Sequence, residues 1–249
     1  MKSILINYAH NRFIESQKNN SRTGIEIGGF DEVRSYGFND IDESFKRRNW
    51  HILNHFLGAG HWLWKPYIIW KTLNDCSNGD VVFYCDSGIS FIQSALPLLE
   101  LCADNDVVPF DIGYDESDEV KFREREQTKR DVFYFMNCDD VNDTEVYDIH
   151  TSDPRYGSFQ IYKKTDFTMQ FVNLYLRYCE DYRLITDAPN TCGYPEYPEH
   201  ISHRHDQSIF SVLTKQLNIV SHQDPSQWGP CKPVTDNYSQ ILNHHRNSS

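Results

Sequence analysis

Val81-Val82-Phe83-Tyr84-Cys85-Asp86-Ser87-Gly88 decides the fold, because five apolar or half-apolar residues lead straight into a carboxylate on a tight turn. The run is too short for a helix and follows the turn-forming Asn78-Gly79-Asp80, so it reads as a parallel strand buried on both faces. Asp86 then stands at the strand's carboxyl end, where open α/β sheets place their ligand crevice. An acid there holds a metal or a polar ligand, or it caps the turn; the strand alone leaves both readings open.

Outward from this run, Ile4-Leu5-Ile6-Asn7-Tyr8-Ala9 reads as a first core strand, and the polar stretch 10–22 as a loop or short helix at its mouth. Residues 42–56 predict a helix, and Pro66, Tyr67, Ile68, Ile69, Trp70 and Leu73 predict another with proline in its first turn. The stretch 91–102 has a helical apolar pattern, and 104–126 is acidic and irregular. Val132-Phe133-Tyr134-Phe135-Met136 predicts a second buried strand and Phe159-Gln160-Ile161-Tyr162 a third. Residues 167–182 carry a clear helical period, 187–202 read as a loop, and 206–216 as a helix. The tail from Val220 matches no regular pattern. Strands alternating with helices give an α/β sheet, and 249 residues fit one domain, 1–249.

Composition excludes several classes. With 36 acidic against 24 basic residues the net charge is −12, which argues against general nucleic-acid binding. An anionic small ligand still fits if a few cations or helix N-termini converge, or if a divalent ion bridges the charges. The start of the chain turns polar too soon for a signal peptide, and no long apolar run suits a membrane span, so a cytosolic protein is expected. Seven scattered cysteines without a Cys-x-x-Cys pair suit reduced, buried thiols. The 14% aromatic content suits sugar handling and ordinary cores alike.

Four segments carry chemistry. Gly60-His61-Trp62-Leu63-Trp64-Lys65-Pro66 sets a lysine and two indoles at a helix start, where phosphate is attracted; otherwise the indoles are core and Lys65 is solvated. Thr128-Lys129-Arg130-Asp131 offers two cations for a diphosphate and a carboxylate for a hydroxyl proton, or it is a charged loop. His203-Arg204-His205-Asp206-Gln207-Ser208 opens a helix, with Asp206 either its cap or a stabiliser of positive charge on a sugar. Arg204 and His205 beside it predict a depressed Asp206 pKa. Last, His222, His244 and His245 are plausible metal ligands or solvated tail histidines, at a spacing that matches no zinc motif.

These segments in order, from Asn7-Tyr8-Ala9 through Lys65, Asp86-Ser87-Gly88, Thr128-Lys129-Arg130-Asp131 and His203-Arg204-His205-Asp206-Gln207-Ser208 to Ile241-Leu242-Asn243-His244-His245-Arg246, resemble the motifs of small polysaccharide-type glycosyltransferases of bacterial surface-glycan clusters and some large viruses. The resemblance implies a GT-A fold, a nucleotide-binding sheet flanked by helices, with a divalent metal, Mn2+ or Mg2+, held against a nucleotide-sugar donor. Where many such enzymes have Asp-x-Asp, this chain has Asp86-Ser87-Gly88, one carboxylate fewer. Either Asp86 alone anchors the metal with help from a distant histidine, since one or two protein carboxylates plus phosphate and water suffice for magnesium or manganese, or metal dependence is weak. By the same resemblance Asp86 binds metal; Lys65, Lys129 and Arg130 meet the diphosphate or donor sugar; Asn7, Tyr8 and Ala9 border the base; Ser87, Gly88 and His203 complete the donor site. Asp206-Gln207 is similar to the Asp-Gln of retaining UDP-sugar enzymes, which sets Asp206 beside the anomeric carbon. If the reaction inverts instead, Asp206 or Asp131 is the base. His222, followed by Gly229 and Lys232-Pro233, is similar to their closing metal-binding segment, though the spacing differs by a few residues. The expected partners are a nucleotide sugar and a glycan hydroxyl. Two rivals remain: a glycoside hydrolase, which needs two carboxylates across the bond, and a carbohydrate-binding protein that stacks sugars on Trp62, Trp64 and Trp228.

Overall fold

The computed structural model describes residues 1–112, 122–226 and 238–245. Trp228, Gly229, Cys231, Lys232, Pro233 and Arg246 lie outside them, as does the middle of the acidic stretch 104–126.

The core is a five-stranded mixed sheet in the order β2-β1-β3-β6-β5. Its strands are β1 Ser3–Tyr8, β2 Glu32–Tyr36, β3 Val81–Cys85, β5 Val107–Val108 and β6 Phe159–Lys163; between them, β4 Ile89–Phe91 forms a small second sheet with β7 Leu242–His244. The apolar run is indeed a fully buried strand. Val82 and Tyr84 pack into one core with Ile4, Ile6 and Tyr8, while Val81, Phe83 and Cys85 pack into another with Leu5 and Phe159. Alternate side chains point to opposite faces, so a strand covered on both sides must be apolar throughout. β3 is parallel to β1 and antiparallel to β6, which makes the sheet mixed.

The chain passes from β1 to β2 on one side and places β3 on the other. A crevice therefore opens outside the carboxyl ends of β1 and β3, after Tyr8 and Cys85. Helices Trp64–Asn74, Asp166–Cys179 and Asp206–Gln216 cover the face carrying Tyr84. Among the described residues no helix is long and apolar enough to cross a membrane. Their six cysteines are free thiols, four of them buried.

Several expectations need correction. Val132 to Met136 is not a strand: Arg130–Phe135 is a short helix, entered from an extended Lys129 and closed where Asn137 takes a positive φ. A short apolar run suits either structure, and here the places beside β3 and β6 are filled by β1, β6 and β5. The 42–56 helix is two, Glu43–Arg48 and Trp50–Leu53, broken at Asn49, whose amide donates to Glu180. The 91–102 helix begins only at Leu96, since Ile89–Phe91 pairs with β7. β2 escaped notice because an edge strand reading Glu-Val-Arg-Ser-Tyr is only partly buried and shows no apolar run.

Candidate active site

A cavity of about 640 Å3 lies at the crevice. Its floor is Asp86, Ser87 and Gly88 with Tyr8 and Ser158; one wall is residues 10–13, and the other is residues 56–59 with Trp62 and Trp64. Trp64 stacks flat on Tyr8, with ring centroids 3.9 Å apart, while the Ser87 hydroxyl donates to the Tyr8 carbonyl and ties the two strand ends together.

Asp86 follows β3 directly, and its backbone N–H donates to the Ser158 carbonyl at 2.7 Å. The Tyr84 hydroxyl donates to Oδ1. Oδ2 has no hydrogen-bond partner among the described residues, which leaves it available to a cation. His244 lines the same cavity, because β7 pairs antiparallel with β4 and sets His244 opposite Ile89. One carboxylate and room for phosphate and water fit a divalent ion of the manganese or magnesium kind, and the His244 imidazole on the same lining adds a donor that manganese accepts more readily than magnesium.

Trp62 is presented by an unusual turn. Gly58, Ala59, Gly60, His61 and Trp62 all have positive φ, between 51° and 98°. Left-handed backbone costs residues other than glycine roughly 1–2 kcal/mol each, so the segment persists only because its surroundings hold it. At Gly60 a Cβ would come within 2.6 Å of the Leu53 Cα. Gly60→Ala is therefore expected to destabilise the protein by about 3 kcal/mol, from strain and overpacking together. Thermal unfolding reads this as a fall of roughly 10 °C, and a melting temperature within 2 °C of the parent would show that the turn relaxes freely.

Beneath the floor lies a buried ion pair, Lys65 Nζ to Asp206 Oδ2, at 2.6 Å. Lys65 also donates to the Gly157 carbonyl at 3.0 Å and sits 5.2 Å from the Tyr84 ring, while Tyr175 donates to Asp206. Burial opposes the Lys65 charge, but Asp206 and Asp86 outweigh it and its pKa is raised. The depressed pKa expected for Asp206 is not found. Burial raises it against the pull of Lys65, and Arg204 turns away to bond Gln127. Gln207 packs against Gly157, next to the cavity residue Ser158.

The remaining cations sit elsewhere. Lys129 is buried and donates to the carbonyls of Ala188 and Thr186. Arg130 pairs with Asp139 and lies over the rings of Tyr194 and Tyr197. Asp131 is buried, which opposes its charge, yet the backbone N–H groups of Thr191 and Cys192 hold its pKa below the usual range. Together these three clamp the loop 186–197, and none lines the cavity. His203 is satisfied as a neutral imidazole between the Leu184 carbonyl and the Lys129 N–H. Asn7 is buried against Asn20 and Ser21, and Ala9 bonds Tyr36, so of the first segment only Tyr8 reaches the cavity. His222 lies beside Pro109 and Asp111, apart from Asp86; the tail histidine that reaches the cavity is His244.

Arg12 and His10 also line the cavity and were missed. The available signal was their place in the polar stretch directly after a core strand. No protein-family model matches the chain, and no curated protein matches it in sequence. Among solved structures the chain is similar to mouse xyloside xylosyltransferase 1 in its apo form, with 8% identity, 91% of this chain and 86% of that chain covered, and a TM-score of 0.46.

Proposed function

We propose that the chain is a metal-assisted glycosyltransferase of GT-A type, a single domain moving a sugar from a nucleoside diphosphate donor, a UDP-sugar by preference, to a hydroxyl of a glycan. The observation that supports this best is Asp86, held at the carboxyl end of β3 on the floor of a large aromatic-walled cavity that His244 also lines. Order and kind of motif, from Trp64-Lys65-Pro66 to Asp206-Gln207, add the resemblance already described.

Asp86 and His244 would hold a divalent ion, which neutralises the leaving diphosphate when bound. Arg12 takes the place foreseen for Lys65, Lys129 and Arg130 as the cation facing the donor phosphates, since those three are engaged in ion pairs and carbonyl contacts. Tyr8 and Trp64 give a flat stacked surface for a base or sugar. Asp206 acts through Lys65 as a positioning residue, fixing the ammonium under Tyr84 and Asp86. Retention of the donor's anomeric configuration rests only on the similarity of Asp206-Gln207 to retaining enzymes, since Asp206 is buried against Lys65 and does not line the cavity. The cytosol, where free thiols stay reduced, is the compartment that suits the chain.

Glycoside hydrolysis needs a second carboxylate across the scissile bond, and among the described residues the cavity lining holds only Asp86. Calorimetry with UDP and with GDP, in chelator and in excess manganese, tests the proposal. A chain of net charge −12 binds a diphosphate poorly without a cation, so affinity is expected to rise at least tenfold, roughly 1.4 kcal/mol, on adding metal. Equal affinity in both conditions would remove metal from the reading, and no binding of either nucleotide would end it.

A further inference from the structure

His61, Asp187 and His205 come from the left-handed turn, the clamped loop and the start of helix Asp206–Gln216, yet each brings a ligating atom within 4.8 Å of the other two. Both imidazoles are buried and the Asp187 side chain is about half exposed.

The hydrogen bonds show what this cluster lacks. His205 Nδ1 lies 2.8 Å from the Ile185 carbonyl, which can only accept, so the proton of a neutral ring is on Nδ1. Its Nε2 then points a lone pair toward Asp187 Oδ2, 3.7 Å away. A proton on Nε2 would make this contact an ion pair, and a metal ion between the two atoms would meet the same need. His61 Nδ1 is 3.3 Å from His205 Nδ1, and its Nε2 is buried with no hydrogen-bond partner among the described residues, on a residue only 4% exposed. An unmet nitrogen in that setting is costly unless something binds it. His205 itself is held at φ 54° and ψ −121°, strained for any residue but glycine.

The geometry points to a transition-metal site of the zinc class, held by His205 Nε2, a ring nitrogen of His61 and the carboxylate of Asp187, and separate from Asp86 and His244. Two imidazoles and one carboxylate are a common donor set for such ions. Donation of a ligating histidine's far N–H to a backbone carbonyl is its usual support, and the Ile185 carbonyl supplies it. Metal–ligand bonds of about 2.0–2.1 Å place tetrahedral ligands roughly 3.3 Å apart, so the Asp187 contact needs only a small closure of a half-exposed side chain. Trp62 stacks on the His205 ring at 5.2 Å and also lines the cavity, so the ion fastens three segments behind the cavity's aromatic wall.

The test is cobalt(II) titration of the full chain after chelator treatment, read by visible absorption, and its outcome does not depend on the glycosyltransferase reading. One equivalent is expected to give the intense bands of a four-coordinate nitrogen and oxygen site, and zinc to abolish them. Asp187→Asn, on a half-exposed loop residue, is expected to weaken cobalt binding at least tenfold, and His61→Gln to remove the bands. Asp86→Asn should leave them unchanged. Absence of the bands in the parent, an unchanged cobalt affinity in Asp187→Asn, or loss of the bands in Asp86→Asn would overturn the proposal.

Discussion

Asp86→Asn is expected to lower sugar transfer roughly 10²–10³-fold, the scale seen when one well-placed charge-stabilising group is removed, while the protein stays folded. The two side chains have nearly the same shape, and the amide oxygen can still accept the Tyr84 hydroxyl. What is lost is the negative charge at the one carboxylate on the cavity lining among the described residues. Initial rates with a nucleotide-sugar donor, alongside thermal unfolding, check both halves. The melting temperature should move by no more than about 4 °C, equivalent to roughly 1 kcal/mol for a chain of this size. A folded variant with full activity would leave Asp86 a turn residue and take away the centre of the functional reading.

Lys65→Met is expected to cost about 3–5 kcal/mol of stability, because it strands the Asp206 carboxylate in a site from which water is excluded. The loss should depend on pH in a definite sense. Asp206 already has a raised pKa in the folded protein, and without Lys65 it rises further, so the folded variant holds a proton that the unfolded chain releases above about pH 3.9. Stability conferred by that proton is complete below the unfolded pKa and is lost as pH rises through the folded one. The penalty relative to the parent is therefore smallest in acid and grows toward neutral pH. Urea unfolding at pH 5 and pH 7.5 measures it, and a penalty that shrinks with rising pH would contradict the assignment. Lys65→Met with Asp206→Leu should recover more than half of the loss, since a buried pair replaced by apolar side chains is often neutral. If that double variant also transferred sugar at the parent rate, the pair would be structural only.

The strand Val81–Cys85 and its terminal acid were legible from sequence because five consecutive apolar residues behind a glycine turn have one comfortable home, between two cores. Helix Asp206–Gln216 was equally legible, since Ile209, Phe210 and Leu213 lie on one face at helical spacing. Val132 to Met136 has much the same apolar character and became a helix. A short apolar run records burial but not its period, and the neighbours of β3 and β6 settled the matter.

At the site the division follows the same physics. That Asp86 stands at a strand's end, where the cavity opens, was readable locally, because a strand's end and the turn after it are set by residues close in sequence. Which cations face the cavity was not. Lys65 and Lys129 are as polar on paper as Arg12, and only their burial against Asp206 and the Ala188 carbonyl took them from solvent. The acidity of Asp206 was misjudged from its neighbours Arg204 and His205, since burial outweighed them and Arg204 points to Gln127. His244 reached the cavity, and His222 did not, through pairing with a strand more than a hundred residues earlier. Periodicity and turn chemistry act over a few residues and can be read along the chain. Solvent exclusion and charge pairing depend on groups brought together from distant segments, and only the packed tertiary structure decides them.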